Sequence, residues 1–164
     1  MKERFLYLFF LAILFSGYCS ITFSQPTDNK LRQLTSNADV IVTGKVSGKN
    51  SSWNMDKTRI HTEATLQVDE CLKGNNNTGS VVVTYPGGEV DGIGELYTHM
   101  PVFENNENVL VFLKRDVKGY KVFDGEEGKI KIIRDAKTGE KMTSSNVRIN
   151  YLKTQIKSYL NNKN

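Results

Sequence analysis

Cysteine, histidine, tryptophan and proline are all scarce in this 164-residue chain, which holds two, two, one and three of them. Each scarcity excludes something. With Cys19 inside an apolar leader, only Cys71 is left to the body of the chain, so no internal disulfide can staple it and packing must supply its stability. A lone thiol of this kind reads first as a small buried hydrophobe. His61 and His99 are too few to suggest a histidine-rich metal centre: a structural zinc site takes four ligands and a catalytic one three. No Gly-x-Ser-x-Gly, His-Glu-x-x-His, Gly-x-x-x-x-Gly-Lys or Cys-x-x-Cys occurs, which removes the commonest hydrolase, metalloprotease, nucleotide and redox signatures. Basic and acidic residues number 22 and 18, a formal charge of +4. They are mixed along the chain, without the block of like charge that marks a nucleic-acid footprint.

What is present begins with a leader. Lys2 and Arg4 form a short basic start, residues 5–15 are uninterruptedly apolar, and small or polar residues continue to Ser24. This is the layout of a secretory signal peptide, with Thr22 and Ser24 placing cleavage between Ser24 and Gln25. Residues 5–23 are just long enough to span a bilayer, but Ser16, Gly17, Cys19, Ser20 and Thr22 dilute their second half. Cys19 invites a lipidation reading, which the bulky Tyr18 before it opposes. Cleavage leaves 140 residues with a formal charge of +3 and no membrane span. That is enough for one domain with its own core, outside the cytoplasm, whether released, periplasmic or held at the cell envelope.

The mature chain reads as mainly β. Residues 30–36, with Leu31 and Leu34 three apart, suit a short helix capped by Thr27 or Asp28. From Ala38 the period becomes two: Val40, Val42 and Val46 point inward and Thr43, Lys45 and Ser47 outward, with Gly44 marking a bulge. A polar loop around Trp53 comes next. The clearest alternation puts Ile60, Thr62, Ala64, Leu66 and Val68 on the core face and His61, Glu63, Thr65, Gln67 and Asp69 in water. The phase breaks at Glu70-Cys71-Leu72, where a bulge would turn Cys71 inward. Residues 80–85 form a β-branched strand stopped by Pro86-Gly87-Gly88. Residues 87–107 read as a loop with a short strand near 96–100, and 108–113 as a strand covered on both faces. Two more strands, 120–123 and 129–133, flank a turn. Ile149, Leu152, Ile156 and Tyr159 or Leu160 recur at helical spacing over 144–162, with Ser144-Ser145-Asn146 as cap and the sheet as packing partner. Five short strands, a glycine-interrupted first strand and a terminal helix predict a five-stranded OB-like closed barrel over 38–135 with a C-terminal amphipathic helix.

Chemistry along this frame is sparse. His61 and Glu63 share a strand face, half a metal site at most, and exposed polar strand positions account for them. Glu89, Asp91 and Glu95 lack the ordered spacing of a calcium loop. Gly92-Ile93-Gly94 precedes no helix that would complete a phosphate cradle. No catalytic residue, metal or cofactor is expected. Trp53 in its polar loop, with Tyr85, Tyr97 and Tyr120, makes the best case for a binding surface, since aromatics bury much area at little entropic cost, although barrel aromatics serve equally as core. Lys121, Lys129 and Lys131 face outward on late strands, as solubilising edge charges; export argues against nucleic acid as their partner.

The stretch Ala38-Asp39-Val40-Ile41-Val42-Thr43-Gly44-Lys45-Val46, then Thr62 to Val68 leading into Leu72-Lys73-Gly74, resembles the start of the netrin-like (NTR) domain, in particular the N-terminal domain of tissue inhibitors of metalloproteinases. Glu107-Asn108-Val109-Leu110-Val111-Phe112-Leu113 is similar to a later strand of that family. Pro86-Gly87-Gly88 and Pro101-Val102-Phe103 also look like segments of exported bacterial proteins. The resemblance covers roughly residues 30–135 and implies a five-stranded OB-type barrel. Those inhibitors begin with Cys-x-Cys, whose amino group and carbonyl chelate the protease zinc. Here Gln25 stands at a comparable place with no cysteine, and an N-terminal Gln can cyclise and lose its basic amine. The expectation is therefore a secreted, non-catalytic OB/NTR-like module that binds another secreted or envelope protein or a surface ligand, through Trp53 and the glycine loop of Gly87, Gly88, Asp91, Gly92 and Gly94. The alternative is inhibition of a secreted metalloprotease through Gln25.

Overall fold

Two hydrophobic periods running through the same strands organise the molecule. In a computed structural model the described residues are 28–75 and 79–162; the expected signal peptide, Cys19, Gln25 and Thr27 lie outside them. Helix α1 (Asp28–Asn37) leads into strands β1 (Val40–Trp53), β2 (Ile60–Lys73) and β3 (Ser80–Pro86), then β4 (Gly88–Val90) and β5 (Ile93–Glu95). Strands β6 (Asn108–Asp116) and β7 (Gly119–Val122), a 3-10 turn (Gly125–Gly128), β8 (Lys129–Arg134), β9 (Lys141–Thr143) and helix α2 (Ile149–Asn161) complete it. The fold is mainly β with two helices, the second at the C-terminal end. Seven strands share one sheet in the order β1-β2-β3-β7-β6-β8-β9, β1 is also bonded to β6, and β4 and β5 form a separate hairpin. All pairings are antiparallel except β3 with β7, which meet in parallel at Val83 and Tyr120.

β1 and β6 bury both faces. Val40, Val42, Val46, Val109, Val111 and Leu113 join Ala64, Leu66, Val81, Val83, Tyr85 and Phe103 in one core. Ile41, Leu110 and Phe112, on the opposite face of the same strands, meet Leu31 and Leu34 of α1 and Ile149, Leu152 and Ile156 of α2 in a second. This second layer corrects the expectation for Thr43: it is buried, because it shares the helix-covered face of β1 with Ile41.

Three register shifts separate β1 from β2. At Gly44 the partner strand comes so close that a Cβ would lie 2.3 Å from the Gln67 carbonyl oxygen, which is why glycine stands there. Asp69 is skipped in the pairing, and this extra residue inverts the faces of residues 70–72. Leu72 then packs on the second core and Glu70 reaches α2, where it accepts from Lys153 Nζ at 2.7 Å and Lys157 Nζ at 3.0 Å. Cys71, paired across from Val42, is exposed all the same, against the expectation that a bulge would bury it. Lys153, with Lys157, holds the Glu70 carboxyl below the usual glutamate range.

The motif residues of the resemblance have local duties. Lys73 Nζ donates to the carbonyls of Thr35 (2.7 Å) and Ser36 (3.0 Å), satisfying free acceptors in the last turn of α1. Asp39 accepts from the Arg115 backbone N–H and from Lys114 Nζ, both at 3.0 Å, which holds its carboxyl low and ties the start of β1 to β6.

Two expected boundaries move. α2 begins at Ile149 rather than after Ser144, with no side chain capping it. Residues 143–147 instead close a turn on Thr143, whose Oγ1 accepts from the Val147 N–H at 3.1 Å and whose own N–H donates to the Val147 carbonyl at 2.8 Å. The polar loop expected around Trp53 shrinks to residues 54–59, because β1 runs on to Trp53. Asn54 Oδ1 accepts from the N–H groups of Thr58 and Arg59 and pins that turn. No helix among the described residues is long and apolar enough to cross a membrane.

Candidate binding site

The glycine-rich stretch is a seated hairpin, not an open loop. Asp91 and Gly92 have φ of 52° and 77°, two left-handed residues in succession that turn Val90 back onto Ile93. The hairpin then lies against the ends of β1 and β2. Gly87 donates its N–H to the Ile60 carbonyl at 2.9 Å, and its own carbonyl accepts from Thr62 Oγ1 at 2.6 Å. Thr62 Oγ1 lies 2.8 Å from Ser51 Oγ, and a Cβ on Gly88 would fall 2.2 Å and 2.5 Å from those two oxygens. Glycine at 87 and 88 therefore permits close approach, while a Cβ on Gly92 would face open space and one on Gly94 would make only ordinary contact. Glu95 completes the seat by accepting from the Ile60 N–H and the Tyr97 hydroxyl, each at 3.0 Å.

No strand forms at 96–100, contrary to expectation: His99, with φ of 61°, breaks the extended run. Its carbonyl accepts from the Glu126 N–H at 3.0 Å, which ties this segment to the 3-10 turn. The chain then drives Phe103 into the first core, fully buried against Tyr85 with ring centroids 5.5 Å apart. A largely buried ion pair fastens the return: Lys129 Nζ and Glu107 approach to 2.8 Å, Lys129 also donates to the Val102 carbonyl, and Glu107 accepts from the Glu104 N–H at 3.1 Å. Lys129 is therefore not the outward edge lysine expected from its alternation, whereas Lys121 and Lys131 are exposed.

Between this segment, α1, β8 and the 143–147 turn lies a cleft of about 1030 Å³. Leu96, Met100 and Val102 line it, and they are 85%, 40% and 43% exposed. Lys30, also on its wall, donates to Asp124 and Glu127, which holds its ammonium above the usual lysine range.

Trp53 is the half-buried last residue of β1, and Ser51, two residues before it, lies where a Cβ on Gly88 would meet its Oγ at 2.5 Å. Tyr85 belongs to the core. Tyr120 packs against that core, and Tyr97 bonds Glu95 with Arg59 3.3 Å from its hydroxyl. His61 lies 3.2 Å from Ser52 Oγ, and among the described residues no three His, Cys, Asp or Glu side chains gather as metal ligands would. Glu95 turns into the seat while Glu89 and Asp91 stay exposed at the tip.

Periodicity alone does not single out Leu96, Met100 and Val102. The signal that would find them is an absence: no Lys or Arg occurs between Lys73 and Lys114, while Glu89, Asp91, Glu95, Glu104 and Glu107 do. The chain matches no protein-family model and no curated protein.

Proposed function

We propose that the protein is an exported, non-catalytic binding module, built on a closed five-stranded barrel of OB type related to the netrin-like domain, which takes another protein or a surface ligand. The barrel reading rests on the cycle of pairings β1-β2-β3-β7-β6-β1, with β3 and β7 parallel. One observation carries the binding reading: an apolar surface held on a rigid seat. Ile93, Leu96, Met100 and Val102 stay exposed although Gly87, Gly88, Glu95, Phe103 and the Glu107–Lys129 pair fix the backbone that bears them. Leu96, Met100 and Val102 line one cleft, and apolar side chains grouped in water mark interaction sites, while an ordered frame lowers the entropic cost of binding. Trp53 borders the same end and supplies a large amphipathic side chain.

Capture of partners from the native extracellular fluid, compared between the protein and its Trp53→Ala variant, tests this. The variant is expected to lose partner while keeping its melting temperature; an identical captured set would sink the reading. Sequencing the N-terminus of the same material tests export, with Gln25 or its cyclised form expected first.

A further inference from the structure

One end of the sheet is basic and carries an apolar tip. β1 starts there at Val40, just after α1 ends, and the β6–β7 hairpin runs past the last β1–β6 pair, Val40 with Leu113, to a turn at Val117 and Lys118. Residues 114–121 hold four basic residues against one acid, Asp116, whose carboxylate accepts from the Val117 N–H at 2.8 Å within the turn. Lys114 and Lys121 stand directly opposite each other across the two strands, so like charges share one face, which costs stability unless an anion lies over them. Asp39 offsets Lys114 alone, since its other oxygen accepts from the Arg115 backbone N–H. The side chains of Arg115, Lys118 and Lys121 are exposed and form no ion pair among the described residues. Lys114 and Arg115 also line, with Asn37 and Lys73, an open depression of about 570 Å³ at the foot of the hairpin. Val117 is 98% exposed, the most exposed large hydrophobic side chain among the described residues. Turns favour Gly, Asn, Asp and Ser for their backbone chemistry, and a valine adds nothing to that geometry.

Going beyond the binding-module reading, we infer that this end of the molecule docks on an anionic phospholipid membrane, with Arg115, Lys118 and Lys121 among the headgroup phosphates and Val117 beneath them. Cations around one apolar tip match an interface that is negative at its surface and apolar below. A soluble anion would satisfy the cations and leave Val117 in water; an apolar partner would leave the cations unpaired. Three cations and one valine make the attachment peripheral and reversible. β1 runs from this end to Trp53, so the docked molecule holds Trp53 away from the membrane.

Co-sedimentation with lipid vesicles tests the inference on residues 25–164, which keep every described residue; the apolar residues 5–15 would enter lipid by themselves. Vesicles of equal parts phosphatidylglycerol and phosphatidylcholine are expected to bind the protein and to release it in salt, and phosphatidylcholine alone to bind at least about tenfold more weakly. The double variant Arg115→Gln/Lys118→Gln is expected to lose about twentyfold in affinity for the anionic vesicles, about fivefold per cation. Val117→Ser is expected to lose about tenfold with its salt dependence retained. All three substituted positions are exposed, so an unchanged melting curve accompanies each. Absence of binding to the anionic vesicles, equal binding to both kinds, or unchanged affinity in either variant overturns the inference. Unchanged affinity of Val117→Ser, together with displacement from the vesicles by soluble polyglutamate, would make an acidic protein the occupant instead. Vesicle binding by a protein that captures no partner would leave this inference standing and remove only the binding-module reading.

Discussion

The two cores lie on opposite faces of β1 and β6 and are built differently. The first is a strand-lined interior, rich in valine, in which Phe103 arrives from outside the sheet. The second is a layer of leucine, isoleucine and phenylalanine closed by two helices from opposite ends of the described chain. β-branched side chains suit the pleated inner surface, where χ1 is already restricted. The longer side chains bridge the greater distance from sheet to helix. Helices α1 and α2 are therefore structural parts of the domain, since without them Ile41, Leu110 and Phe112 would lie in water.

Hollowing each core separately shows whether the two stand or fall together. Phe112→Ala in the second and Phe103→Ala in the first are each expected to cost about 3–5 kcal/mol in urea denaturation. Trp53 fluorescence and far-ultraviolet circular dichroism should report one common transition for both variants. If Phe112→Ala splits the two signals, the helical layer unfolds on its own and the cores are independent. Gly44→Ala comes next, because its methyl group would meet the Gln67 carbonyl where β1 and β2 are closest. A loss of about 1–3 kcal/mol is expected, and a neutral result would mean that the strands separate there easily.

Gly88→Ala separates scaffold from hairpin. Its φ of 129° and the oxygens of Thr62 and Ser51 leave no room for a methyl group. The hairpin should lift from its seat at a global cost of about 1 kcal/mol, seen as faster amide exchange at Ile60 and Gly87 and weaker partner capture. The smallest effect is at Glu70. Its carboxyl is held low by Lys153 and Lys157, so it stabilises the fold above the ordinary glutamate range, and this contribution is lost as pH falls through its depressed folded value. Because the group is more than one-third exposed, Glu70→Gln is expected to cost only about 0.5 kcal/mol at neutral pH. The gap in melting temperature between variant and parent should close in acid; a gap that persisted there would assign the effect to packing.

Much of the strand content was legible because alternation survives wherever one face is wet: Ile60 through Leu66 read correctly on pattern alone. Thr43 and Cys71 did not. Thr43 is covered by a layer whose helices lie far away in sequence, and Cys71 stays in water although a bulge precedes it. The site was legible in part. The glycines of 87–94 announced an unusual backbone, but which of them make close contact depends on Ser51 and Thr62, brought in by another pair of strands. The apolar exposure of Leu96 and Met100 is invisible to a pattern that assigns such residues to a core.

By itself, the order of residues determined the apolar run of residues 5–15, the scarcity of cysteine, the period-two strands and the apolar stripes of both helices, because each depends only on neighbours in the chain. The tertiary structure alone decided that β1 and β6 bury both faces, that Glu70 clasps α2 while Cys71 faces water, and that Lys129 folds inward onto Glu107. Those outcomes depend on which distant surfaces meet. A side chain's burial and charge state are properties of the neighbours that folding brings to it, and these are not its neighbours in sequence.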